Sequence, residues 1–254
     1  VKLLRDTWLM FGRYFYIFIS NPIWVIIGVI QPVLYLLLFA PLLKSIAHMP
    51  GFPPGGAYNV FVPGLLIQLG LFGASGVGFG LIDELRSGVI ERFRVTPVSR
   101  LALLLGRAGR DLLTLLIQSL ILLALAVPFG LKPTLTGVVI MLGLVALIGL
   151  GMSSIAYAVA LALKDENSYA PLVFTISLPL LLLSGVLLPL KPLAPQWLQD
   201  IGQANPLYYA VNAARDLFNG RGGSPEVLEG LLIMAALAVV GVAIGARQFA
   251  RAIA

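Results

Sequence analysis

Formal charge is missing from long stretches of this chain, and that pattern leaves few folds open. No charged side chain stands between Arg13 and Lys44, between Lys44 and Asp83, between Asp111 and Lys132, or between Lys132 and Lys164. A run of about twenty apolar residues crosses a hydrocarbon core of roughly 30 Å as a helix. The chain is 59% hydrophobic and only 11% charged, against about 25% charged in ordinary soluble domains. The reading is an all-α, polytopic membrane protein. Six spans are expected, at about 23–43, 60–82, 111–131, 137–163, 169–190 and 228–246. Too little chain remains for a soluble domain, so residues 1–254 form one domain.

Charge placement gives an orientation. An even span count puts both termini on one side, with Lys2, Arg5, Arg13, the six arginines from Arg86 to Arg110, Lys164, Arg247 and Arg251. The other side holds Lys44, Lys132, Lys191, Arg215 and Arg221. Basic loops stay cytoplasmic, so both termini are expected in the cytoplasm and the protein in a plasma membrane, such as a bacterial inner membrane. The net charge of +6 therefore belongs to one membrane face, and nucleic acid is not an expected partner.

The first twenty residues carry Arg13 and end at Asn21-Pro22 with no small-residue cleavage site, unlike a signal peptide. On a helical wheel Leu4, Trp8, Phe11, Phe15, Phe18 and Ile19 segregate from Lys2, Arg5, Asp6 and Arg13. Residues 1–20 should thus form a helix lying in the interface, basic face in the cytosol.

The spans lack a charge in their central thirds, where ion-coupled carriers keep ionisable groups. Gln31, Gln68 and Gln118 are their mid-span amides; either they bond between helices or they line a substrate path. The stretch GLFGASGVGFG, residues 70–80, spaces small residues four apart, for close packing inside the bundle or between subunits. The lone His48 falls in a loop, which leaves no Ser–His dyad. Cys is absent, and with it disulfides and thiolate metal sites. No G-x-x-x-x-G-K-[ST] loop is present. The chain is read as a non-enzyme that binds no cofactor or metal of its own.

Two regions exceed what connectors need. Residues 83–100, DELRSGVIERFRVTPVSR, form a charged island with four basic and three acidic side chains. No Pro interrupts 83–95, so a short helix is expected there until Pro97, which disfavours helix at Thr96. Ser99 then caps the next helix, in which Arg107 and Asp111 stand i,i+4. The second region, after span five, is too apolar for a free loop. Pro195 can open a short helix that Gly202 ends. Asn205 can cap a second, with Pro206 in its first turn and Gly220 past its end. Leu207, Ala210, Val211, Ala214, Leu217 and Phe218 make its apolar face. Such a pair of helices would dip back into the outer leaflet.

These blocks resemble type-2 ABC exporter permeases. Glu84, Gly88, Glu91, Thr96, Pro97 and Arg100 match in order that family's coupling-helix pattern, an acidic residue, Gly, an acidic residue, then Thr-Pro-x-x-Arg. LSGVLLPL followed by ANPLYYAVNAARDL is similar to its second hallmark, after the fifth span. The resemblance is closest to the drug-efflux, daunorubicin-resistance branch, with lipo-oligosaccharide exporters also similar. It implies a pair of permeases, the second an identical copy or a homologue, on two ATPase subunits that hold ATP and Mg. Glu84, Arg86, Gly88, Glu91, Arg92, Arg94, Thr96, Pro97 and Arg100 would couple to the ATPase. Gly185, Pro189, Trp197, Asn205, Pro206 and Tyr208, in or beside the hairpin at 191–220, would shape the exit. Hydrophobic or amphiphilic compounds, drug-like molecules or lipids, would be exported. An ion-coupled carrier without an ATPase is the alternative from the residues alone.

Overall fold

The computed structural model describes residues 2–20, 23–46, 56–89, 98–187, 189–190 and 194–252. Nine α-helices stand among them. They are α1 (Lys2–Ser20), α2 (Ile23–Ile46), α3 (Ala57–Arg86), α4 (Arg100–Ala126), α5 (Leu135–Leu163), α6 (Glu166–Leu183), α7 (Gln196–Gln203), α8 (Pro206–Phe218) and α9 (Pro225–Ala252). Five segments, 58–86, 101–129, 135–163, 166–183 and 225–251, are long and apolar enough to cross a membrane. A sixth is reached where α1 meets α2, since Lys2–Ser20 and Val25–Phe39 pass the same test together across a bend of 68°. The chain is a multi-pass, all-α membrane protein.

Helix ends follow local chemistry. The Ser99 hydroxyl accepts the amide of Ala102 and starts α4, while the Thr134 hydroxyl accepts that of Gly137 and starts α5. The Asp165 carboxylate accepts the amide of Ser168 and starts α6. A side-chain oxygen there satisfies one of the four amides that a helix start leaves open.

The core is built around α3. Its Phe61, Val62, Leu65, Leu66, Ile67 and Leu71 are fully buried against α5, with Leu144, Val145 and Ile148. The most extensive packing is between α5 and α9. There a Cβ on Gly151 would stand 3.1 Å from the backbone of Ala238, and one on Gly241 would collide with the carbonyl of Gly151. Helix backbones this close need small residues at the crossing. A second core, Leu81, Ile82, Leu103, Leu104, Tyr157 and Phe249, sits at the island end of the bundle.

The observed elements depart from the sequence reading in three places. First, α3 runs through Asp83–Arg86, the start of the island, and then breaks at Ser87–Gly88, where Gly88 takes φ +69°. Left-handed backbone is cheap for glycine, so a continuous helix over 83–95 does not form. Second, α6 ends at Leu183 and Gly185 turns the chain with φ +74°, so the fifth span is shorter than 169–190. Third, α1 does not hold all its polar residues in solvent. Asp6 is buried, and α1 packs on α4, while Leu4, Trp8 and Ile19 remain exposed. A Cβ on Gly106 of α4 would stand 2.5 Å from Met10 Cβ, so the missing side chain is what admits α1.

Candidate functional site

Two polar assemblies occupy opposite ends of the bundle. The first lies at the base of the island. Arg107 enters from α4 and is only 2% exposed, too deep for an unpaired guanidinium. Its Nη1 donates to the Glu84 carboxylate at 2.5 Å, and the Tyr14 hydroxyl donates to the same oxygen at 3.3 Å. The guanidinium also sits 5.3 Å from the ring centres of both Tyr14 and Tyr157, within cation–π range. One cation thus ties α1, α3, α4 and α5 together, in the last turn of α3 where the island begins.

The sequence spacing suggested an Arg107–Asp111 pair. Instead Arg107 turns to Glu84, and the Asp111 carboxylate lies 3.2 Å from Nε of Arg110. The partners are 23 residues apart, so no helical periodicity links them.

A surface brace joins α3 to the α5–α6 link. Arg86 donates to Asp165 at 2.9 Å and lies 3.7 Å from Glu166. Asp165 does double duty as the cap of α6. The Ser168 hydroxyl bond, then its backbone amide and the Arg86 charge, hold that carboxyl below its ordinary range. All three charged groups are solvated, so the brace adds little to stability.

Of the residues expected to meet an ATPase, Glu84 and Arg86 therefore have partners within this chain, and Gly88 forms the break. Glu91, Arg92, Arg94, Thr96 and Pro97 lie outside the described residues, as does His48. Arg100 opens α4, but its side chain is not among those described.

The second assembly gathers the turn after α6, the α7–α8 hairpin and the start of α3. Pro195 precedes α7, which ends at Gln203. Asn205 then does two things. Its Oδ1 accepts the Leu207 amide and its Nδ2 donates to the Leu180 carbonyl at 2.6 Å, which fastens α8 to α6. Pro206 fills the first position of α8, and Leu207, Ala210, Val211, Ala214, Leu217 and Phe218 are all buried.

Charge counting placed Arg215 among the outer-side cations, on the second hairpin helix, and it is only 7% exposed inside the fold. It donates to the carbonyls of Val60 (3.2 Å), Gly185 (2.6 Å) and Val186 (3.4 Å). Burial lowers the guanidinium to about 10, so it stays charged at neutral pH, held by carbonyl dipoles. Gly64 completes the joint, since any side chain there would strike the Val186 carbonyl. Pro189 and Tyr208 are buried nearby in sequence, and Trp197 is exposed.

The three mid-span amides divide. Gln118 is buried and donates to the Val25 carbonyl at 3.3 Å, bridging α4 and α2. Gln68 is also buried, with its Oε1 unpartnered among the described residues. Gln31 is on the exposed side of α2, 3.4 Å from the Tyr35 hydroxyl.

Among the described residues no cluster of three or more His, Asp or Glu side chains could hold a metal ion. A family model described as ABC-2 type transporter matches residues 5–219. The putative transport permease ycf38 of Cyanophora paradoxa is 27% identical over 218 residues, covering 85% of this chain and 75% of that protein. The daunorubicin resistance ABC transporter permease protein DrrB1 of Streptomyces coeruleorubidus is 26% identical over 231 residues, 87% of this chain and 77% of its own. A probable doxorubicin resistance ABC transporter permease protein, DrrC, of Mycobacterium tuberculosis is 23% identical over 251 residues, 96% of this chain and 89% of its own.

Proposed function

Because the chain belongs to the ABC-2 type transporter family, as a non-catalytic permease subunit that works with ATPase subunits, we propose that it exports hydrophobic or amphiphilic compounds by an island-driven stroke. Residues 1–254 act as one permease domain. Two permeases, identical or homologous, stand on two ATPases that supply ATP and Mg, and both termini face the cytoplasm. Residues 83–100 dock on the ATPase as the coupling element, and α1 lies along the membrane interface beside them. The α7–α8 hairpin re-enters the outer leaflet and shapes the exit.

The observation that carries this reading is the buried Arg107–Glu84–Tyr14 knot. It makes the last turn of α3, the first turns of α4, and α1 one stiff unit around the base of the island. Force applied to a flexible linker would dissipate in the linker; here it reaches several helices at once. The Arg86–Asp165 brace extends the unit to α6, whose Phe174, Ile176, Leu178 and Leu182 are exposed. Such an apolar flank suits lipid, a second permease or an amphiphilic cargo. The drug-resistance names of two of the relatives favour drug-like cargo, while a lipid or lipo-oligosaccharide cargo suits the same flank.

The test is copurification of tagged permease with its ATPase, in the native chain and in Glu91→Arg. The variant should fold and insert but lose the ATPase. Retention of the ATPase by the variant would overturn docking through the island.

A further inference from the structure

At the end of the bundle away from the island, the start of α3, the start of α5 and the turn after α8 surround an open cavity of about 460 Å3. It is lined by Asn59, Lys132, Thr134, Phe218, Asn219, Gly220 and Arg221. Two of the few cations at this end converge on it. Lys132 is exposed and has no carboxylate partner among the described residues. Arg221 is brought there by the turn at Gly220, φ +77°, and its Nη2 meets Asp216 at 2.5 Å. That contact occupies one of the five N–H groups of a guanidinium. The Arg221 side chain remains 59% exposed, which leaves donors for a ligand. Asp216 carries one negative charge and cannot offset both cations, and the Ser224 hydroxyl donates to its other oxygen at 2.7 Å.

The floor is polar as well. Asn59 donates to the Phe218 carbonyl at 3.2 Å, and the buried Oδ1 of Asn219 has no partner among the described residues. Beside the cations the chain is apolar and outward-facing: Val127, Phe129 and Leu135 are all exposed within five residues of Lys132. Positive charge, amide groups and an apolar flank together match one ligand chemistry, a phosphate anion on an apolar tail.

We propose that this cavity is a binding site for the phosphate head group of an anionic lipid. Lys132 and Arg221 hold the phosphate oxygens, and the acyl chains run along Val127, Phe129 and Leu135. The site needs no ATPase, so it stands or falls separately from the exporter stroke.

Native mass spectrometry of the full chain in detergent, titrated with short-chain phosphatidylglycerol, tests it. Neutral short-chain diacylglycerol is the control, and inorganic phosphate the competitor. Lys132→Gln should weaken phosphatidylglycerol binding by about tenfold at low salt, the scale of one charge-assisted contact. Lys132→Arg should retain it, and diacylglycerol should bind no differently to any of the three. Lys132 is exposed, so neither variant threatens folding, which an unchanged melting temperature checks. Equal phosphatidylglycerol affinity in the native chain and Lys132→Gln overturns the site. Displacement of the lipid by inorganic phosphate at similar concentrations would overturn the lipid as the source and leave free phosphate as the ligand. No displacement at a hundredfold excess supports the lipid.

Discussion

Arg107 and Glu84 differ in how much each depends on the other. Arg107 is sealed in the bundle, whereas the Glu84 side chain keeps 18% of its surface in solvent. Removing one partner from a buried pair costs about 3–5 kcal/mol, because the other charge is stranded. The stranded group is worse off when it is the arginine. Glu84→Gln should therefore lower the melting temperature of the detergent-purified protein more than Arg107→Met does. The double variant should resemble Arg107→Met rather than the sum, since the two side chains share one interaction. If Arg107→Met proves the more damaging single change, the knot is not the pair described here. Arg215 is the second buried cation, and its partners are carbonyls. Arg215→Lys keeps the charge but loses the fork that reaches α3 and the Gly185–Val186 turn together. It should lower the melting temperature clearly, where the exposed Arg221→Lys should not. Neither role was legible in the sequence. Arg215 stands on the hairpin helix that the sequence marks, but its partners, like those of Arg107, come from other elements. Periodicity locates neighbours on one helix and is blind to pairs made across helices.

Elements were far more legible than pairs, because their signals are local. Asn205, Pro206 and Gly220 mark the hairpin helix within a residue or two, as capping chemistry requires. Ser99 marks α4 in the same way. The glycine-rich stretch in α3 was half legible: spacing alone does not say which face meets protein. Gly70 packs on Ile148 and Gly73 on Leu115, while Gly78 makes room for the Tyr169 ring, whose hydroxyl donates to the Ser75 carbonyl at 2.6 Å. Gly76 meets nothing within 4 Å. Packing inside the bundle therefore holds for Gly70, Gly73 and Gly78, while Gly76 is left on open surface. Overpacking a tight contact costs about 1–3 kcal/mol. Gly78→Leu should thus destabilise the isolated permease, while Gly76→Leu should leave its melting temperature within about a degree. Similar losses from both would mean that Gly76 is enclosed after all. For α1 the decisive glycine is Gly106. In Gly106→Leu the helix cannot seat on α4, and protease accessibility near residues 2–20 should rise while the remaining spans stay protected.

At the scale of the whole molecule, charge sets the direction of insertion. Charge counting sets twelve basic residues against five, but the structure changes what those counts mean. Arg107 and Arg215 are buried and each is held by groups of the fold, so neither is a free loop charge. Removing one from each side leaves the asymmetry intact, so the positive-inside rule still predicts the island on the cytoplasmic face. The absence of Cys makes this testable without background. Ser87 lies exposed at the end of α3, and Thr136 lies exposed at the start of α5, at the opposite end of the bundle. Single Ser87→Cys and Thr136→Cys variants avoid both buried cations. In intact cells a membrane-impermeant maleimide should label Thr136→Cys and spare Ser87→Cys, and permeabilisation should make both reactive. The reverse pattern would place the island outside, beyond reach of any cytosolic ATPase. The stroke would then have no source of force, while the Arg107 knot and the Arg215 joint would remain as features of the bundle alone.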